Sequence, residues 1–375
     1  MNFRDAKKYL AKVGPGLITG AADDDPSGIA TYSQTGALFG YSQLWLTLFS
    51  FPFMTAVQEM CGRIGLVTGE GLASVLRRNY PKTILGGAVI LLVIANTINI
   101  GADLGAMAAS VQLLIPLPFI VLLLFFTAFT LLLEIFVPYP TYARFLKYLT
   151  ISLVAYIITA FLVKQDWQRV FVSTLVPHLS LGKDYVLNVA AFLGTTISPY
   201  LFFWQADEEV EEEIEEHKIR EEGKGKPKIS EEDIGEMRFD TGFGMLVSNV
   251  IAFFIMLTVA ATLASSHKEI SSAADAASAL KPFAGNFAFL LFALGIVGTG
   301  LLAVPVLAGS AGYAVSESFG WKVGLGKRFS QAPGFYAVIA LATAVGLIVN
   351  FLPVPPMKML YYSAVANGLL APPLL

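Results

Sequence analysis

Charge is scarce in this chain of 375 residues: 14% of its positions are Asp, Glu, Lys or Arg, where soluble domains carry about 25%. The shortfall excludes an ordinary soluble domain and points to lipid. The charges that exist are segregated, since Leu104 to Leu133 and Pro282 to Ser316 contain none. Each run exceeds the roughly 20 helical residues needed to cross a bilayer core of about 30 Å. Cysteine is nearly absent. Cys61 alone excludes an internal disulfide framework and a Cys-rich metal site, and it is expected to be a packing residue. The three histidines, His178, His217 and His267, all fall in connections, so none is expected within the membrane. No basic patch with interleaved aromatics points to nucleic acid, and the apolar stretches lack the alternation of barrel strands. No nucleophile, base and orienting group converge as an enzyme would need. No cofactor motif is seen.

What is present is apolar, 55% of the residues. Hydropathy and breaker residues predict ten segments, at about 13–37, 42–66, 83–112, 117–137, 143–163, 185–206, 241–265, 283–314, 333–352 and 357–375. Met1 to Lys12 is short and basic and does not read as a cleavable signal peptide. Lys and Arg divide between alternate connections, 19 to 6. The richer set contains Arg4, Lys7, Lys8 and Lys12, then Arg63, Arg77, Arg78 and Lys82, then Arg144 and Lys147, later Lys218 to Arg238, and last Lys322, Lys327 and Arg328. By the positive-inside rule the N-terminus is cytoplasmic, in a multi-pass protein of the plasma membrane. The chain ends in an apolar segment at Leu375, behind Pro372 and Pro373, so it is expected to be part of a longer polypeptide.

One stretch is strongly hydrophilic, 207–240, opening with Asp207, Glu208, Glu209, Glu211, Glu212, Glu213, Glu215 and Glu216. A solvated cytoplasmic helix extension is the expectation, with metal sensing as the alternative.

The chemistry concentrates in the first segment, where Asp23-Asp24-Asp25-Pro26-Ser27-Gly28 lies mid-span. A charged residue at the centre of a membrane helix costs about 2.5 to 3.5 kcal/mol even on the lenient insertion scale, so three of them require compensation. Pro26 removes a backbone donor and Gly28 tolerates non-helical geometry, so the helix is expected to unwind there. Freed carbonyls beside a carboxylate are tolerated at membrane depth when they face protein or a water-filled cavity, which is what a cation site needs. The competing reading is a proline-kinked helix with Asp23 and Asp24 near an interface. The sixth segment has a matching break at Gly194-Thr195-Thr196-Ile197-Ser198-Pro199-Tyr200. Two interrupted helices five segments apart form the signature of an inverted-repeat transporter with its site at the midplane.

These motifs resemble the Nramp family of divalent-metal transporters. Asp25-Pro26-Ser27-Gly28 resembles the family's Asp-Pro-Gly-Asn metal motif, Gln58 to Leu72, with Arg63 to Gly69 inside it, its second-helix exit, and Gly194 to Tyr200 its Gly-Ala-Thr-Val-Met-Pro-His. The resemblance implies an all-α polytopic membrane protein with a LeuT-type inverted repeat of two five-helix halves, helices 1 and 6 being broken. Residues 1–164 would form the first repeat, 165–184 an extracellular loop, and 185–375 the second repeat, with the acidic loop 207–240 on the cytoplasmic side.

The departures from the family pattern are chemical. Gly28 stands for its Asn, Ser198 for its Met, Thr195 for its Ala and Tyr200 for its His. Loss of the thioether leaves oxygen donors suited to hard cations, and smaller groups at 28 and 198 are expected to enlarge the site for a hydrated ion. This pattern resembles the Nramp-related magnesium transporter branch. The expected metal-contacting set is Asp25 as anionic anchor, Thr195 and the carbonyls of Ala22 and Ala21 as oxygen donors, Gly28 and Ser198 making room for water, Asp24 behind them, and Asn367 near the family's tenth-helix Gln. Ala106 replaces a third-helix Glu of the family and Tyr200 a His, so proton coupling is not expected. Asp103 survives, with Asn96 and Asn99 before it, either as a functional acid or as a structural one among polar helix contacts. The expected function is alternating-access import of Mg2+, and also Mn2+, as transported substrate. The alternatives are a proton-coupled Mn2+/Fe2+ transporter of the ordinary Nramp kind and a LeuT-fold amino-acid transporter. Partners are the divalent ion and the bilayer. Oligomeric state is left open.

Overall fold

The computed structural model describes residues 15–137, 148–223, 225, 227–264 and 269–375. The basic N-terminal tail, the connection with Arg144 and Lys147, the start of the fifth predicted segment, Lys224, Lys226, His267 and Lys268 lie outside the described residues.

Among the described residues the regular structure is helical. The first predicted segment is two helices, α1 (Pro15–Asp23) and α2 (Pro26–Phe39). Then follow α3 (Trp45–Thr68), the short α4 (Leu72–Asn79), α5 (Lys82–Gln112), α6 (Phe119–Phe136), α7 (Val154–Leu162) and α8 (Trp167–Leu175). The sixth segment is again two helices, α9 (Lys183–Thr196) and α10 (Pro199–Glu215). The chain continues through α11 (Glu231–Leu263), α12 (Ala273–Ser278), α13 (Lys281–Ala284), α14 (Ala288–Phe319), α15 (Pro333–Val349) and α16 (Pro356–Leu374). Five helical runs are long and apolar enough to cross a membrane by length and composition, at 82–112, 119–136, 183–215, 231–263 and 281–319. Large apolar side chains such as Phe53, Phe125, Phe161 and Leu341 stand outward and exposed, as a lipid-facing surface requires.

Both breaks fall at a proline. Pro26 and Pro199 open the second half of their helices at the first position, where the missing N–H is no loss. The broken helices lie antiparallel, since α1 packs on α10 and α2 on α9. Their breaks therefore meet at one level. Around them α11 packs against α1, α2 and α3, while α14 runs along α5. Small residues allow this closeness: a methyl on Gly20 would strike the backbone of Gly244, and one on Gly194 the backbone of Ala364 and Gly368.

One expectation is narrowed. The stretch 207–240 is largely helical, and its start is packed inside the protein while Glu215 to His217 and Ser230 to Glu232 are exposed. α10 runs on to Glu215, α11 starts at Glu231 behind a Ser230–Asp233 capping box, and Asp207, Glu208, Glu209 and Glu213 are buried. Trp204 and Gln205 are fully buried within α10, Trp204 against Gly309. The connection at 165–184 holds a helix, α8, capped by the Asp166 carboxylate accepting from Arg169 N. Glu59 pairs with Arg63 and Arg238, Asn249 donates across helices to the Thr47 carbonyl at 2.9 Å, and Cys61 is buried.

Candidate functional site

The breaks expose backbone groups that a continuous helix would pair. Ala22 would have bonded the N–H four residues on, but that residue is Pro26, so its carbonyl is freed. It accepts the Tyr200 hydroxyl at 3.1 Å, which ties the first break to the second. The carbonyl of Thr195 loses its partner to Pro199 in the same way. It accepts from Ser198 Oγ at 2.8 Å, which also reaches Gly194 O at 2.8 Å.

Asp25 sits between the helix halves in extended backbone, 1% exposed, as the N-cap of α2. Its Oδ1 accepts from Gly28 N at 2.7 Å and Ser27 Oγ at 2.6 Å. This is ordinary N-capping, and the α2 N-terminus stabilises the carboxylate's charge. Its Oδ2 faces the other way, accepting from Asn99 Nδ2 at 3.0 Å with Tyr200 Oη at 3.5 Å. Asn99 is oriented by Ser363 of α16, whose Oγ donates to Asn99 Oδ1 at 2.7 Å and so turns the amide nitrogen toward Asp25. Groups from α2, α5 and α10 thus converge on one carboxylate, with α16 acting through Asn99, and every group within hydrogen-bond reach of it is oxygen or nitrogen.

The predicted residues divide. Asp25, Ala22, Gly28 and Thr195 come together: a Cβ on Gly28 would lie 3.1 Å from Thr195 Oγ1, 3.2 Å from Asp23 O and 3.2 Å from Tyr32 Cε2. The room expected at Gly28 is therefore taken by Thr195 and Tyr32, and the Ser198 hydroxyl is turned onto its own helix end. Ala21 is half-buried, and its partner four residues on, Asp25, retains an N–H. Asp24 points away toward α11, where Ser248 Oγ donates to Asp23 Oδ2 at 2.7 Å and lies 3.2 Å from Asp24 Oδ1. Both acids are buried. Asn367 is buried on α16, next to the residues that touch Gly194, and its Nδ2 meets no acceptor among the described residues. Asp103 is buried with both carboxylate oxygens lacking a donor among the described residues, so the hydrogen-bonded structural reading finds no partner there. No group of three or more His, Cys, Asp or Glu among the described residues has metal-holding geometry. A cation at the breaks would rest on one carboxylate supplemented by carbonyl, hydroxyl and amide oxygens.

Two residues beside Asp25 carry more than the sequence assigned them. Tyr200 was read as a lost titratable group, yet its hydroxyl bridges the breaks. Asn99 was read as a neighbour of Asp103. Its signal was the spacing Asn96, Asn99, Asp103, which sets all three along one face of α5; Asn96 donates to Leu307 O at 2.9 Å on α14.

Comparison with known proteins agrees with this geometry. The Nramp family profile, natural resistance-associated macrophage protein-like, matches residues 16–375. A divalent metal cation transporter MntH of Yersinia pestis (strain Pestoides F) is 26% identical over 322 residues, 84% of this chain and 74% of its own length. The metal transporter Nramp5 of Oryza sativa subsp. japonica is 30% identical over 205 residues, 52% of this chain and 37% of its own. Among solved structures, the Eremococcus coleocola manganese transporter superposes with a TM-score of 0.76 at 15% identity, covering 99% of this chain and 78% of that one. Mhp1, a nucleobase-cation-symport-1 family transporter, gives 0.61 at 12% identity, covering 93% and 74%. The chain belongs to the Nramp family and carries its LeuT-type, twice-broken helical fold.

Proposed function

We propose that the protein imports a divalent cation across the plasma membrane by alternating access, preferring hydrated Mg2+ and also carrying Mn2+. The observation that carries this reading is the placement of Asp25 at the crossing of the two breaks, amid oxygen and nitrogen donors only. Mg2+ gives up water reluctantly and is usually held by one or two carboxylates through several retained waters. Asp25 Oδ1 is fixed by the α2 cap, so Oδ2 is the oxygen a hydrated ion would meet. Asn99 and Tyr200 would then turn from Asp25 to the ion's water, and the Ala22 carbonyl would be released by the same Tyr200 movement. Thr195 Oγ1, buried without a partner among the described residues, is a further oxygen within the cluster. Rocking of one repeat against the other would open the site to each side in turn. An amino-acid substrate is disfavoured because the break presents carboxylates where an unwound helix would need free amides for a substrate carboxylate. Manganese stays in the reading because the Eremococcus relative is named as a manganese transporter.

Transport is not obligatorily coupled to protons, because Ala106 and Tyr200 replace titratable residues of the family pattern. Liposomes loaded with Mg2+- and pH-sensitive dyes test both statements. Uptake of Mg2+ without protein-dependent acidification of the lumen is expected; metal-driven acidification would restore proton coupling. The N-terminus and the α10–α11 connection should lie on the cytoplasmic side. With Cys61 replaced, a cysteine at position 228 is expected to resist an impermeant reagent applied to intact cells, and efficient labelling would invert the topology.

A further inference from the structure

The acidic inner end of α10 makes a contact that transport of a cation does not require. Asp207 of α10 and Glu317 of α14 are both buried, 2% exposed each. A methyl on Gly71, at the turn into α4, would collide with Asp207 Oδ1 and Glu317 Oε1 together, so the two carboxyl groups converge on one point of backbone. Glu317 Oε2 accepts from Ser74 N at 2.7 Å, capping α4. Asp207 Oδ2 and Glu317 Oε1 meet no donor among the described residues. Two buried carboxylates left so close, without a donor between them, would repel strongly.

The charges around the pair do not relieve it. On α10 itself Glu211 lies nearby, bonded by Tyr313 Oη of α14 at 3.0 Å. From the segment 216–230 comes Glu222, whose Oε1 accepts from Ser74 Oγ at 3.2 Å and faces Gly71 N at 3.4 Å. That segment is itself fastened to the same corner through Gly223 N and Gly69 O at 2.8 Å. α4 supplies Arg77, close to Glu317. α3 supplies Glu59 and Arg63, which pair with one another. Four carboxylates, Asp207, Glu317, Glu211 and Glu222, thus meet at this corner, with Arg77 beside Glu317 and Lys327 beside Glu211. Burial, with the Glu317 charge second, pushes the Glu222 carboxyl up to about 8.

We propose that Asp207 and Glu317 share a single proton, and that this hydrogen-bonded acid–carboxylate pair latches the inner half of the broken sixth helix to the corner formed by α4 and α14. Loss of the proton to cytoplasmic water leaves two anions that drive α10 off the corner. The other end of α10 carries Tyr200, which touches Ala22 and Asp25. The latch thereby gives cytoplasmic pH a lever on the opening of the site, with no proton carried along the cation's path. It does not depend on which cation is transported.

The direction of the pH effect follows from linkage. Groups whose folded state holds a proton more tightly than the unfolded state stabilise the fold at low pH and lose that contribution as pH rises. The pair therefore holds α10 at low pH and releases it as pH rises.

Hydrogen exchange of the full chain in lipid nanodiscs, corrected for intrinsic rates, reads the latch directly. Amides of α4 and of residues 216–223 in the wild type should lose protection by about tenfold between about pH 6.5 and about pH 9. Asp207→Asn and Glu317→Gln each replace the repelling pair by a neutral amide and a carboxylate, so each should hold its protection within about twofold over that range. The two variants act independently, so failure of one to fold leaves the other as the test. Equal protection of the wild type at both pH values would overturn the proposal, as would variants that lose protection as the wild type does. Restoration of wild-type protection at high pH by millimolar Mg2+ would also overturn it, because a bound cation would then be the latch.

Discussion

Asp25→Ala and Asp25→Asn are expected to abolish transport, or to leave about a hundredth of it or less. Both changes remove the anion that offsets the ion's dehydration, and Asn offers at best a neutral oxygen. The two variants separate charge from cap. Asn still caps α2 with its side-chain oxygen, so Asp25→Asn keeps the cap, but its amide nitrogen then faces Asn99 Nδ2 and that one bond is lost. Ala loses the bonds from Ser27 Oγ and Gly28 N as well, with an added stability cost of about 0.5 to 2 kcal/mol typical of N-cap removal. Equal loss of transport in both, with stability lost mainly in the alanine variant, is the expected pattern. It is read from dye uptake in liposomes together with thermal unfolding in detergent. Substantial transport by Asp25→Asn would mean that the charge is not what holds the ion.

Selectivity should respond to three positions acting together. Gly28→Asn and Ser198→Met return the ordinary family residues, but a Cβ at 28 meets the Thr195 hydroxyl at 3.1 Å. The family pattern pairs its Asn with an Ala at the position of Thr195, so volume has moved from one break to the other. Gly28→Asn/Thr195→Ala/Ser198→Met is therefore expected to shift preference from Mg2+ toward Mn2+ and Cd2+ by about tenfold or more, because it adds a thioether and displaces retained water. Gly28→Asn alone should be the poorer protein, crowded against Thr195, Tyr32 and the Asp23 carbonyl. Competition between Mg2+ and Cd2+ for uptake measures the shift. A triple variant with unchanged preference would remove the thioether from the account of selectivity.

The broken helices were legible because proline and an intramembrane carboxylate are local signals. Pro26 and Pro199 each free a carbonyl four residues back whatever the rest of the chain does, and both breaks appear where the sequence placed them. The partners of Asp25 were less legible. Asn99 lies on another helix, and its reach depends on how α5 is rotated against α2, with Ser363 of α16 fixing its amide; such registers between helices are not written in either segment. The space expected from small residues was misread for the same reason, since side chains from the opposite break fill it. Only the start of the acidic stretch departs from its reading. Its composition reads as solvated, but Asp207 and Glu209 are covered by tertiary packing of α10 against α3 and α14, and hydropathy cannot report that.

The central claim is that a single carboxylate, Asp25, holds a hard divalent cation in a site without sulfur. Uptake of Mg2+, Mn2+ and Cd2+ by the wild type and by Asp25→Asn, in one liposome preparation under one set of conditions, tests it most directly. Wild-type transport of Mg2+ and Mn2+, with all uptake lost in Asp25→Asn, is the predicted result. A wild type that ignores Mg2+ while carrying Cd2+ well would contradict the account.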